Sequence, residues 1–325
     1  LEALIIPGDR AAAVVEAAPG RTVQLTNLDK LFFPERDLRK RDLLQYYADV
    51  APLIVPHLRD RPMVLKRYPN GIGGEFFYMK RTPAKHPEWL RTCAVEHGSG
   101  NVIDFPVVDD AAGLLWVINL GCVDLNEWYS RCDDTDRPDY LHFDLDPVAG
   151  ATFATVRTAA LCVRDALVGL GMQPCVKTSG SKGIHVYVAI ERGPLQKEVW
   201  TFAKALAQTL ERLHPEVITA EYRVAKRPSG RILVDYNQNA WGQTLASVYS
   251  VRARPLATVS TPVTWEEVEA GIELDDFRLD TVRERFARLG DLWSPMRAER
   301  ERFDLRPLLA GVRVPARRKR SGAPA

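Results

Sequence analysis

Eight consecutive residues set the strongest constraint on this chain. From Leu141 to Asp146 in Tyr140-Leu141-His142-Phe143-Asp144-Leu145-Asp146-Pro147, apolar and polar side chains alternate without a break. A period of two belongs to an extended strand. Leu141, Phe143 and Leu145 share the face that can enter a core, while His142, Asp144 and Asp146 share the other. Two carboxylates at i and i+2 project side by side, close enough that ionising both is unfavourable unless a cation lies between them, and divalent metals meet that need. Pro147 is expected to end ladder pairing and so to place the acidic pair at a strand tip. Taken by itself the octapeptide fits a solvated edge strand equally well. Metal-dependent glycosyltransferases also display Asp-x-Asp, so the pair alone selects no chemistry.

Apolar positions recurring at three- and four-residue steps predict a helix over 40–58, and further helices are expected over 110–120, 151–170 and 195–213. Strands are expected over 63–67, 76–80, 140–146, 174–178, 184–190, 231–236 and 247–252. The mixture is α+β with at least one strand-helix-strand unit and no internal repeat. With 325 residues and 46% hydrophobic content, the chain has material for a substantial core, which excludes disorder and coiled coil as its dominant state. No apolar run suits a membrane span or a secretory leader, so a cytoplasmic protein is expected. Five cysteines in an odd count, none in a CxxC pair, read as reduced thiols rather than a disulfide framework or a cysteine-type zinc site. Residues 1–20, with a weak period, form an N-terminal extension, and residues 312–325 a basic tail.

The net charge of +2 hides segregation along the chain. Residues 101–147 carry 2 basic and 11 acidic side chains, whereas 21–97 carry 14 and 9, and 177–260 carry 12 and 6. Basic arms around an acidic centre suit a polyanion held by counterion release together with a metal held by carboxylates, although charge runs are also how solvated faces look. Within the second basic stretch, Ser179-Gly180-Ser181-Lys182-Gly183-Ile184-His185 lies between two predicted strands. Its glycines let backbone amides approach an anion, and Ser, Lys and His add donors, so it reads as a phosphate cradle that is not a Walker loop. A glycine hairpin with an exposed lysine is the plain alternative. Finally, Leu233-Val234-Asp235-Tyr236-Asn237-Gln238-Asn239 supplies an acid at the end of an apolar strand. Beside Asp144 and Asp146 it is the third ligand that a two-metal phosphoryl-transfer site needs.

These motifs in this order resemble the archaeo-eukaryotic primase superfamily, in particular the polymerase domain of bacterial ligase D and its stand-alone relatives such as the mycobacterial Primase-Polymerase C group. The carriers are HFDLDP at 142–147, SGSKGIH at 179–185, LVDYNQN at 233–239 and LTNLDKLFFP at 25–34, spanning about residues 24 to 300. The resemblance implies two αβ modules around a central catalytic cleft, one of them RRM-like. Its expected boundaries are 21–138 for the first module, 139–260 for the RRM-like catalytic module and 261–311 for a C-terminal helical segment. It implies Asp144, Asp146 and Asp235 as catalytic metal ligands for two Mn²⁺ or Mg²⁺ ions, with NTPs or dNTPs as substrates. Lys66, Ser179, Lys182, His185, Gln238 and Arg252 correspond to nucleotide contacts, as does the position of Asn126, where ligase D domains usually carry His. Asn27, Lys30 and Lys40 correspond to a pocket for a downstream 5′-phosphate, and Phe76 and Phe77 to stacking on template bases.

The implied function is templated nucleotide addition in DNA repair, filling short gaps that carry a 5′-phosphate, with ribonucleotides favoured. End-joining synthesis and de novo priming are the alternatives within the class, and a non-catalytic DNA-binding module lies outside it. Gapped or broken duplex DNA and nucleoside triphosphates are the expected partners. No ligase or nuclease motif accompanies the domain, so a separate DNA ligase is expected to seal the product.

Overall fold

A computed structural model describes residues 4–310, so the basic tail at 312–325 lies outside the described residues. The chain opens on a hairpin of β1 (Ala13–Ala18) and β2 (Arg21–Leu25). Residues 13–18, set apart in the sequence as extension, are therefore folded, with Val15 and Val23 buried in the main core. A short ladder of β3 (Leu31–Phe33) and β4 (Leu38–Arg39) leads into α1 (Lys40–Leu58), whose bounds are the predicted ones. Leu43, Leu44, Tyr47, Val50, Ile54 and Leu58 form its buried face at helical spacing. Then follow β5 (Met63–Arg67), β6 (Phe77–Met79), the hairpin β7 (Thr92–Glu96) and β8 (Val102–Pro106), α2 (Ala111–Asn119) and β9 (Cys122–Glu127). β5 is central in an antiparallel sheet of order β6-β5-β9.

The second module is built on β10 (Tyr140–Pro147), α3 (Phe153–Gly169), β11 (Cys175–Thr178), β12 (Ile184–Ala189), α4 (Gln196–Leu213), β13 (Ile218–Thr219) and β14 (Ile232–Asp235). With β15 (Pro262–Val263) they make one six-stranded sheet of order β13-β14-β10-β12-β11-β15, antiparallel except for the β13/β14 pair. Leu141, Phe143 and Leu145 are fully buried in its core, as their alternation predicts. The C-terminal segment gives β15 to this sheet before its short helices α5 (Trp265–Ala270), α6 (Val282–Leu289) and α7 (Arg306–Leu309).

Two local expectations are corrected. β10 is an interior strand, not an edge: it pairs with β12 as far as Leu145 and with β14 as far as Pro147, and the acidic pair does lie at its C-terminal end. Proline lacks an N–H but keeps its place beside β14, so pairing stops on one flank only. Residues 247–252 form no strand beyond a single bridge between Val251 and Val259. Only part of the backbone pairs: the Tyr249 and Arg252 N–H groups donate to Ser260 O and Thr258 O, whereas Ser247 N–H donates to Leu125 O and Val251 N–H to the Tyr47 hydroxyl, and Tyr249 sits at φ 64°.

Candidate active site

Sheet register assembles the site. Reading across the strands, Lys177 of β11 pairs with His185 of β12, His185 with Asp144 of β10, and Asp144 with Asp235 of β14. Four ionisable side chains thus stand in one row, and Asp146 follows Asp144 on the same face. Asp144 is buried, its Oδ1 has no hydrogen-bond partner, and His185 Nε2 lies 3.2 Å from it. Burial lifts the Asp144 carboxyl to about 6. The Asp144 charge, then burial, then Asp235 lift Asp146 to about 7, and burial also raises Asp235. Gln238 Nε2 donates to Asp235 Oδ2 at 3.1 Å, so this amide holds a carboxylate in place.

Three carboxylates that raise one another's proton affinity, one with an orphaned buried oxygen, are chemically the type of donor a hard divalent cation takes. Among the described residues no three His, Cys, Asp or Glu side chains are already closed into a ligand cage.

The SGSKGIH loop is fixed from three sides. Ser179 Oγ accepts from the amides of Ser181, Lys182 and Gly183 at 3.0–3.2 Å, which turns those N–H groups around one hydroxyl. Arg252 donates to Ser179 O, and Thr258 Oγ1 donates to Gly180 O at 2.5 Å. A Cβ at Gly183 would lie 2.1 Å from Leu145 O, and one at Gly180, where φ is 64°, within 2.8 Å of Ser260 N. Only glycine lets the loop lie against β10 and the acidic pair. Gly183→Ala is therefore expected to cost about 1–3 kcal/mol of stability by overpacking and at least about tenfold in nucleotide addition. Gly73→Ala, with nothing within 4 Å, is the neutral control, and thermal unfolding with primer extension reads both.

Lys66, Asn126 and Arg252 meet around one residue that carries no motif, Asp124. Its carboxylate lies 3.8 Å from Lys66 Nζ and 3.6 Å from Arg252 Nε and accepts the Ala253 N–H at 2.9 Å, while Asn126 Nδ2 donates to its backbone oxygen. Lys182 is exposed, and its charge acts on Asp146. Phe76 and Phe77 are 50% and 45% exposed, beside Tyr78 at 60%. Lys66 Nζ sits 4.2 Å from the Phe76 ring centroid, and the Arg67 guanidinium 5.1 Å from that of Phe77. Both phenylalanines thus remain open to a stacking partner.

Successive residues of β5 point to opposite faces. Lys66 turns to Asp124, whereas Arg67 lines a separate cavity of about 330 Å³ together with Asn27, Lys30, Lys40, Phe32 and Asn119. This brings together the three residues matched to a 5′-phosphate pocket and adds Arg67, which the sequence left unmarked. No lining residue is acidic. Lys30 Nζ donates to Pro69 O and Asn70 Oδ1, and Lys40 Nζ to Thr26 O and Asn119 Oδ1. Burial, then Lys30, then Arg67 lower the Lys40 ammonium to about 8. A bound phosphate dianion favours the charged lysine, so preference for a 5′-phosphate should fall up to about tenfold from pH 7 to 9 as Lys40 loses its proton. Lys40→Arg should flatten that profile, as read by binding titrations at several pH values. A larger cavity, about 800 Å³ beside β1 and α1, is lined mainly by small apolar residues and lies away from these groups.

Residues 39–293 match the family model described as LigD, primase-polymerase domain. The chain belongs to the LigD primase-polymerase domain family. It is similar to the polymerase domain of Mycobacterium tuberculosis Ligase D solved in complex with DNA, with TM-score 0.78 and 31% identity over 90% of this chain and 99% of that one. The multifunctional non-homologous end joining protein LigD of Mycolicibacterium smegmatis is 33% identical over 279 residues, and that of Pseudomonas aeruginosa 31% over 298. Those matches cover 85% and 90% of this chain but only 36% and 35% of the relatives, so the chain spans little more than a third of their length. The fold is accordingly the archaeo-eukaryotic primase fold. Among the described residues no helix is long and apolar enough to cross a membrane.

Proposed function

We propose that this chain is a template-directed DNA repair polymerase that fills short gaps bearing a downstream 5′-phosphate, with ribonucleotides favoured. The observation that supports the reading is β5: Lys66 lies beside Asp124, which Arg252 also approaches, while the adjacent Arg67 lines the cationic pocket. A gap has two ends, a primer terminus to extend and a phosphate to hold. Asp144, Asp146 and Asp235 would hold two divalent ions, Mn²⁺ or Mg²⁺, which supply Lewis-acid stabilisation of the transferring phosphoryl group. Lys66, Ser179, Lys182, His185 and Arg252 would bind the triphosphate, with the internally hydrogen-bonded Ser179 loop carrying Lys182 and His185. Phe76 and Phe77 would stack on the template strand between the two ends.

The relatives' names favour a second reading, synthesis across two broken ends. Addition directed by each of four templating bases in a one-nucleotide gap, with rNTPs and dNTPs side by side, tests the first. Untemplated addition, or addition only when two separate ends are mixed, would contradict it.

A further inference from the structure

Lys177 belongs to no motif, yet it is an enclosed charge at the end of the carboxylate row, only 1% exposed. Its Nζ meets three groups: Ala246 O at 2.9 Å, Ser260 Oγ at 2.7 Å and His185 Nδ1 at 2.7 Å. The directions of two are set by chemistry. A carbonyl oxygen can only accept, and Ser260 Oγ spends its hydrogen on Thr178 O at 3.0 Å, so it accepts from the lysine. An ammonium has a third hydrogen, and His185 Nδ1 is the remaining partner. Of the two bases, the lysine is the one that holds the proton. A primary amine is ordinarily a stronger base than an imidazole by about four pKa units, and the two acceptor oxygens around Nζ favour the ammonium. A neutral imidazole that accepts at Nδ1 carries its hydrogen on Nε2, the atom 3.2 Å from Asp144 Oδ1.

We infer that Lys177 is a positioning residue that locks His185 as the Nε2–H tautomer, its one hydrogen turned toward the carboxylate row and the incoming nucleotide phosphate. The inference rests on the reading of His185 as a nucleotide contact. An imidazole with a fixed donor at Nε2 binds phosphate in one orientation, and a ring free to exchange tautomers or flip presents a lone pair to the same anion for part of the time. The cross-strand register makes the lock a property of the sheet, since Lys177, His185 and Asp144 are direct partners on adjacent strands.

Nitrogen-15 NMR of the full chain labelled at histidine tests this, with the His185 signals identified by their loss in His185→Gln. In the unsubstituted protein Nε2 should be of the protonated type and Nδ1 of the unprotonated type. A protonated Nδ1, or an imidazolium, overturns the proposal whatever any variant does. In Lys177→Met the two nitrogens should move toward averaged values, and the nucleotide KM should rise about tenfold with kcat within about threefold. A folded Lys177→Met protein with the tautomer and KM unchanged would also overturn it. A locked tautomer in a chain that adds no nucleotide under any condition would instead count against the polymerase reading and leave the lock standing.

Discussion

Asp144→Ala is expected to lower templated nucleotide addition by about 10³-fold or more while affinity for gapped DNA stays within about threefold of the unsubstituted chain. Asp144 stands between His185 and Asp235 in the row and lifts the Asp146 carboxyl more than any other group does. Removing it deletes a ligand shared by the acidic cluster and leaves the cationic pocket and aromatic strip untouched. Stability provides an independent check. Burial raises the Asp144 carboxyl to about 6, so the folded state holds its charge less readily than the unfolded chain. Above the unfolded value this costs stability, and Asp144→Asn should unfold at an unchanged or higher temperature at pH 7.5 while losing activity to the same degree. Divalent metal should raise the unfolding temperature of the unsubstituted chain and have little effect on the variant. Extension at full rate by Asp144→Ala would contradict the assignment of the site.

Lys30→Ala combined with Lys40→Ala is expected to weaken binding to a gap with a 5′-phosphate about 30-fold or more, and to a gap with a 5′-hydroxyl less than about threefold. Both ammonium groups line the acid-free cavity, and each would contribute a charge-assisted contact to a phosphate held there. Lysines that served only as general polyanion contacts would give equal losses on the two substrates. Because Lys40 Nζ also holds Thr26 O and Asn119 Oδ1, the double variant needs its unfolding temperature measured alongside. The single Lys30→Ala change, at a more exposed side chain, should reproduce the direction of the effect.

What could be read from the sequence was local and periodic. The helix at 40–58 and the alternation of β10 follow from side-chain spacing alone, and so do β11 and β12 with the loop between them. Long-range register was not legible. Nothing in the spacing says that Lys177, His185, Asp144 and Asp235 stand opposite one another, because pairing is settled by how four separate strands meet in the sheet. Asp124 was hidden for a similar reason. It lies in an acidic run, but other members of that run have structural work: Asp139 is fully buried among Arg61, Arg131 and Arg302, and Asp133 pairs with Arg192. Charge segregation therefore marked the cleft and an arginine-neutralised cluster together. The cationic pocket gathers residues from 26 to 121, and Arg67 joins it because β5 turns its side chain away from that of Lys66. The strand expected at 247–252 failed because Ser247 N–H is taken by Leu125 O and Val251 N–H by the Tyr47 hydroxyl, which leaves only scattered bonds to 258–260.

The most direct test of the central claim, that the carboxylate row and the cationic pocket serve one reaction, is single-turnover filling of a one-nucleotide gap by the purified chain. The gap should carry either a 5′-phosphate or a 5′-hydroxyl, with each of Mn²⁺ and Mg²⁺. Templated addition that is faster with the phosphate, and that loses this advantage in Lys30→Ala/Lys40→Ala while keeping a basal rate, is the predicted result. Equal rates on the two gaps, or no templated addition with either metal, would contradict it.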